Sequence, residues 1–436
     1  YGLASLVSFN TFIGSFIFEV IAFTFFLFFS YKSLSLFVEN KWALLSLPLL
    51  SILILNLRAF THGGSAEELC LPLMAISLFY LLKFLKSNNP EIATSKVFFW
   101  NGVIAGCILW VKFSMLGFWL GWIIAFFVEL IIQKRTRRAF AGTIIFAGGI
   151  LAATIPWIIY FGINQAIPEW INTYFVVNLT SYSGHLNFTD RILVALSHLG
   201  TQFFHNPLFG FILWLGIISF ASFSKFLGNK RNRLLLLLSV VLLVATIYGG
   251  GRGHVYYYLI LTPLVIFGFI VIADAISSII KKPFSEKIIF GITIAIFLVS
   301  LPLTYYFNQN SYLLHIPQQD LVQHKFAEII EQSPDKTLLN YGSLDMGLYT
   351  TAGVLPDIKY FELQNLDYSR FPLNLDEQNR YVRDGLTKFV VVRDVGQRVN
   401  DSGKIPQLNS KYQMVASGDQ YFEGYTFTYC LFERMD

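Results

Sequence analysis

The chain has 436 residues, of which 55% are hydrophobic and 14% charged, with a formal charge of +5. Soluble domains carry about 25% charged residues, so an ordinary soluble globule is excluded. The charge also divides along the chain: residues 1–306 hold 20 Lys/Arg and 10 Asp/Glu, whereas 307–436 hold 12 and 17. The basic excess sits in short loops between apolar runs, which points to membrane lipids as partners and not to nucleic acid.

The opening Tyr1-Gly2-Leu3-Ala4 has no initiator Met, basic segment or cleavage site, and the sequence is expected to begin partway through a protein. Runs approaching the roughly 20 apolar residues of a spanning helix lie near 10–31, 42–57, 69–86, 97–111, 115–132, 139–162, 207–224, 234–249, 255–280 and 287–306. They predict about ten spans, with 42–57 and 97–111 short. Alternate loops, beginning with Lys32 and Lys41 and ending with Lys281, Lys282 and Lys287, hold 16 basic residues; the other set holds four, Arg58, Lys112, Arg191 and Arg252. Lysine and arginine mark cytoplasmic loops. Segments 58–68, 163–206 and 249–254 are therefore expected outside, and the tail with them. The long segment 163–206, with Pro168-Glu169-Trp170, reads as amphipathic helix lying along the outer surface.

Beyond the last span, 318–332 patterns as a helix with Leu321, Val322, Phe326, Ile329 and Ile330 on one face. Strands are expected at 336–341, 388–392 and 425–432, and a helix at 374–386. No glycine-rich phosphate loop is present. The expected fold class is an α-helical polytopic membrane protein over 1–306, followed by a small soluble extracytoplasmic α/β domain over 307–436.

Three sets of residues are candidates for chemistry. In Arg58-Ala59-Phe60-Thr61-His62-Gly63-Gly64-Ser65-Ala66-Glu67-Glu68, two carboxylates stand where a helix N-terminus favours negative charge. Glu67 and Glu68 can orient a sugar hydroxyl, hold a divalent metal or act as a base; the alternative is a helix cap built on Ser65 and Glu68. In Gly249-Gly250-Gly251-Arg252-Gly253-His254, followed by Tyr256-Tyr257-Tyr258, Arg252 can grip a phosphate in bidentate fashion. His254 can assist or ligate a metal; the alternative is a flexible turn beside an interfacial tyrosine belt. Lys112 sits in a short turn, where snorkelling explains it more cheaply than phosphate binding. Within the spans, Glu129 and Asp274 fall near cytoplasmic ends and are expected to be solvated, and Glu19 to face protein or water. The seven histidines map to the outer side or its flanks without a His-x-x-x-His pair, so no cofactor is assigned and a divalent metal stays an open option. Cys70, Cys107 and Cys430 lack metal-type spacing and predict no disulfide framework.

Gly63-Gly64-Ser65-Ala66-Glu67-Glu68-Leu69 opens a span. Gly253-His254-Val255-Tyr256-Tyr257-Tyr258 leads to Thr262-Pro263, and Tyr341-Gly342 follows the first strand of the tail. On these residues the chain resembles bacterial integral-membrane glycosyltransferases of the GT-C fold, related to glycosyltransferase family 39 and the dolichyl-phosphate-mannose mannosyltransferases. The resemblance implies transfer of a sugar from a polyprenyl-phosphate carrier to a glycan, lipid or protein acceptor at the outer face of a plasma or inner membrane. It also places the principal catalytic acid in a first outer loop that would precede Tyr1, and leaves Glu67 and Glu68 as the family-like acids in this chain. Arg252 and His254 match the loop expected near the donor phosphate, and Arg58, His62, Lys112 and Tyr257 complete the expected substrate-binding set. Two other readings are a lipid-linked oligosaccharide transporter or flippase, and a non-catalytic assembly subunit.

Overall fold

The computed structural model describes residues 2–8, 11–61, 63–183, 186–279, 284–364, 366, 368–395, 406–422 and 424–435. Expectations that fall on His62, His185, Lys281 and Lys282 lie outside them. The chain forms two compact units, Phe18–Ser311 and a second that joins Tyr1–Ile17 to Tyr312–Asp436.

The larger unit is built from helices α1 (Ile13–Leu34), α2 (Asn40–Leu55), α3 (Ala66–Ser87), α4 (Ser95–Lys112), α5 (Gly117–Ile132) and α6 (Thr136–Ile163). After these come α7 (Phe188–His205), α8 (Pro207–Ser222), α9 (Lys230–Tyr248), a 3-10 helix Val255–Val265 that runs into α10 (Ile266–Ile279), and α11 (Glu286–Phe307). Among the described residues seven helices are long and apolar enough to cross a membrane, and α2, α5 and α8 are shorter apolar helices. A run of 22 residues reaches about 33 Å, which matches the hydrocarbon thickness. The stretch read as the short run 97–111 is a full-length helix instead, reaching Met115 over 21 residues through the turn Phe113–Leu116. Starts are set by side chains that accept otherwise unpaired backbone N–H groups: Ser65, Thr94, Asn229 and Ser285. The segment 163–206, expected to lie along the outer surface, folds as Ile167–Ile171, a π-helix Asn172–Tyr182, and α7.

Small residues bring the helices together. A Cβ on Gly102 of α4 would stand 2.1 Å from the carbonyl oxygen of Phe146, and one on Gly149 of α6 2.3 Å from that of Phe99. Gly117 and Gly121 let α5 approach α9 in the same way, against Leu242 and Ser239. In lipid, where apolar contact drives nothing by itself, such close approach carries helix association. Glu129 corrects an expectation. It is fully buried, not solvated, and Arg231 grips it through Nε–Oε2 at 2.7 Å and Nη2–Oε1 at 2.8 Å, with Gln133 adding a bond at 2.9 Å. This pair ties α5 to α9. Asp274 is partly exposed and pairs with Lys225.

In the second unit, β1 (Leu338–Tyr341), β2 (Phe389–Val395), β3 (Tyr412–Phe422) and β4 (Tyr425–Arg434) form one sheet of order β1-β2-β4-β3. The β1–β2 pair is parallel and the other two are antiparallel. Alternation along β1 and β2 serves both faces. Leu338 and Phe389 pack with Val322, Phe326 and Ile330 of α12 (Val322–Glu331), while Leu339 and Val390 pack with Tyr381 and Val382 of α13 (Pro372–Asp384). Strand β3 was not expected from the sequence.

After β1, Asp345 accepts from Asn340 Nδ2 at 2.8 Å and from the N–H groups of Gly347 and Leu348, while its own N–H donates to Glu362 Oε2 at 2.8 Å. Burial, reinforced by the Asp345 charge, holds the Glu362 carboxyl above the usual carboxylate range against the opposing hydrogen bonds. The folded state therefore binds this proton more tightly than the unfolded state. Stability is lost as pH rises from the unfolded value, near about 4.3, through the folded one. Glu362→Gln should thus increase hydrogen-exchange protection of β1 and β2 at pH 8 and leave it nearly unchanged at pH 4. Equal effects at both pH values would show that the Glu362 charge is not the cause.

Candidate functional site

The site starts at the N-terminus of α3. The Glu68 N–H donates to Ser65 Oγ at 3.2 Å, and Glu68 Oε2 accepts from the N–H groups of Gly64 at 2.9 Å and Ser65 at 3.3 Å. This is a complete capping box, and it occupies Glu68 with starting the helix. Glu67 points about 100° around the helix from Glu68 and is 1% exposed. Lys112, the last residue of α4, places Nζ 2.6 Å from Glu67 Oε1. Oε1 has no hydrogen bond of good geometry, so the pair is a close charge contact and not an aligned bond. The Lys112 ammonium also lies over the rings of Tyr257, at 4.5 Å, and Tyr256, at 5.3 Å. With a side chain only 19% exposed, Lys112 is held inside the protein and does not snorkel to water.

Between α9 and the 3-10 helix runs the glycine-rich loop, which adopts a left-handed turn at Gly251 (φ +70°). The segment 163–206 covers it. The Arg191 guanidinium donates to the Gly249 carbonyl, and its Nε donates to that of Leu186 at 3.0 Å. A Cβ on Gly253 would stand 3.0 Å from the His198 ring. His198 Nδ1 lies 2.6 Å from the Tyr248 hydroxyl, and burial holds its pKa below the ordinary imidazole value. The Tyr182 hydroxyl is 2.8 Å from His254 Nε2, and the Tyr182 ring lies 4.1 Å from the Arg252 guanidinium carbon.

These groups surround a cavity of about 600 Å³ whose lining includes Lys112, Arg191, Arg252, Asn178, Tyr182 and Tyr257. A second cavity of about 750 Å³ lies among α2, α8 and α10; Leu49, Leu53, Phe209, Ile212 and Phe269 make it apolar, and Asn56 and Asn206 are its polar edge.

Of the residues singled out from the sequence, Lys112, Arg252 and Tyr257 line the first cavity. Glu67 reaches this group through Lys112, and His254 reaches it through Tyr182. Glu68 belongs to the cap. Arg58 does not line the cavity; it is exposed, and its backbone N–H donates to Asn206 Oδ1 at 3.3 Å. Sequence reading missed Tyr182, Asn178 and His198, which segment 163–206 delivers from far along the chain. No group of three His, Cys, Asp or Glu side chains among the described residues could hold a metal ion. With Glu67 on Lys112, Glu68 in the cap and His254 on Tyr182, these side chains do not make a divalent-cation donor set.

Membrane-length apolar helices and a small α/β unit make a polytopic membrane protein with a GT-C-like fold. Among solved structures the chain is similar to that of ArnT from Cupriavidus metallidurans bound to undecaprenyl phosphate, with a TM-score of 0.56 and 12% identity over 96% of this chain and 84% of that one. No protein-family model matches the chain, and no curated protein does.

Lys112→Met would leave Glu67 as a buried uncompensated charge and should destabilise the protein by about 3–5 kcal/mol. The double change Lys112→Met with Glu67→Gln should restore much of that loss. Thermal unfolding in detergent checks this, and a double variant no more stable than Lys112→Met alone would show that the two groups are not coupled.

Proposed function

We propose that this protein is a membrane glycosyltransferase that moves a sugar from a polyprenyl-phosphate carrier to an acceptor at the outer face of the membrane. The observation that carries the reading is the cavity lined by Arg252, Arg191 and Lys112, set between aromatic walls at one end of the bundle. A buried cationic cavity of this kind suits a phosphate. The apolar cavity among α2, α8 and α10 has the chemistry an isoprenoid chain needs. Likeness of fold to a protein solved with undecaprenyl phosphate supports the same ligand class.

In the reaction, the acceptor hydroxyl oxygen bonds to the anomeric carbon as the carbon–oxygen bond to the carrier phosphate breaks on the opposite face, and the hydroxyl proton passes to the departing phosphate or to water. Negative charge grows on the departing phosphate. Arg252 meets it with a guanidinium and Lys112 with an ammonium, so both interactions are stronger in the transition state than with the bound donor. Glu67 is buried behind Lys112; its assigned role is to hold that lysine, not to abstract a proton. Glu68 is assigned to folding alone.

Arg252→Ala in the full-length protein should lower kcat/KM with a lipid-linked donor by about 10²–10³, while Glu68→Gln, whose amide oxygen can still accept the cap bonds, should stay near wild type. An unchanged rate in Arg252→Ala removes this cavity from the reaction. Movement of lipid-linked sugar across reconstituted vesicles without transfer to an acceptor would replace the reading with a carrier.

The same proposal places the lysine- and arginine-rich loops in the cytoplasm, and the cavity and α/β unit outside. A cysteine introduced at Leu355, which is 86% exposed, should react with a membrane-impermeant maleimide in intact cells. Labelling only after lysis would put the tail in the cytosol and end the outer-face assignment.

A further inference from the structure

Tyr182 belongs to no motif visible in the sequence, yet it touches both polar residues of the glycine-rich loop. It is the last residue of an eleven-residue π-helix, and Ser183 leaves that helix in extended conformation (φ −68°, ψ 137°). Helices of this kind are uncommon and recur at functional sites. The Tyr182 hydroxyl lies 2.8 Å from His254 Nε2, and its ring lies 4.1 Å from the Arg252 guanidinium carbon. Its ring also stacks near His254, with centroids 6.1 Å apart and planes inclined by 29°. Among the described residues no carboxylate pairs with Arg252, so the phenol face is the contact that orients its guanidinium. At His254, the hydrogen bond made by one ring nitrogen decides where the imidazole proton resides.

We infer that Tyr182 is a positioning residue for the anion site: its ring sets the orientation of Arg252 and its hydroxyl sets the tautomer of His254. The inference rests on the phosphate-binding reading of the cavity. It makes the outer segment part of the site, because the two loop residues most suited to an anion are both held by a side chain 70 or more positions earlier.

Two substitutions separate the two roles. Tyr182→Phe keeps the ring and removes the hydroxyl; Tyr182→Leu removes both. With full-length protein in nanodiscs and undecaprenyl phosphate as the probe, Tyr182→Phe should bind within about twofold of wild type, and Tyr182→Leu should lose about tenfold, within the range of a desolvated cation–π contact. In parallel, the ring ¹⁵N resonances of His254, assigned by their loss in His254→Asn, should shift toward a different tautomer mixture in Tyr182→Phe. If Arg252→Ala binds weakly while Tyr182→Leu binds like wild type, the Tyr182 role is overturned and the phosphate reading stands. If wild type does not bind the probe, the phosphate reading fails. The His254 resonances need no ligand: if Tyr182→Phe leaves them unmoved, the role given to Tyr182 is overturned whatever the binding result.

Discussion

A carboxylate taken out of water at the mouth of a membrane bundle must meet a cation, and Glu67 meets Lys112 at 2.6 Å. That contact fixes the end of α4 against the start of α3. Lys112 in turn lies under Tyr256 and Tyr257, which brings in the start of the 3-10 helix and with it the glycine-rich loop. The segment 163–206 then closes over the loop through Arg191, His198 and Tyr182. Each layer depends on the one beneath it. The other deeply buried acid, Glu129, is treated differently, with two aligned bonds from Arg231 and one from Gln133. A fully bonded pair of that kind rigidifies. Lys112 has three donors and one close but poorly aligned carboxylate oxygen, an arrangement that keeps capacity for a further anion.

The helical part of the fold was readable because lipid imposes a length and loops record sidedness. Apolar runs announced each of the seven membrane-length helices among the described residues, even where edges moved by a few residues. Misreadings had local causes. The run 97–111 looked short because Lys112 ends it; α4 does stop at that lysine, but it starts at Ser95 and the 3-10 turn Phe113–Leu116 carries the membrane-length path to Met115. Glu129 looked solvated because it falls near the end of its apolar run, shortly before Lys134, Arg135, Arg137 and Arg138; its partner Arg231 lies 102 positions away. In the α/β unit, β1, β2 and β4 have continuous apolar character, but β3 is an edge strand whose exposed and half-exposed positions read as Gln413, Ser417, Gly418 and Asp419. Edge strands are often polar for protection, and such a strand resembles a loop.

The candidate site divides the same way. Ser65 and Glu68 stand three apart, the spacing of a capping box, so the structural role of Glu68 was written locally. Glu67 carries no such mark. Two adjacent glutamates on a helix differ by about 100° in direction, and only tertiary structure tells which one faces protein. The loop residues Arg252 and His254 stood out because glycines isolate them in an apolar chain. Tyr182 did not, since one tyrosine among 22 in an aromatic-rich interfacial segment signals nothing until the fold lays it against the loop.

Fold and chemistry carry separate parts of the functional argument. A likeness at 12% identity establishes architecture only, and a bundle of this kind can host different chemistries. What narrows the choice is the contrast between two cavities in one membrane unit. One is lined by Lys112, Arg191 and Arg252, and the other almost wholly by aliphatic and aromatic side chains. A soluble sugar nucleotide would have no use for the second, and a plain lipid would have none for the first. A ligand that joins a phosphate to a long hydrocarbon carries the chemistry that suits each of them. On that ground the lipid-linked donor is preferred over a nucleotide donor, and the cationic cavity, not the fold, carries the assignment.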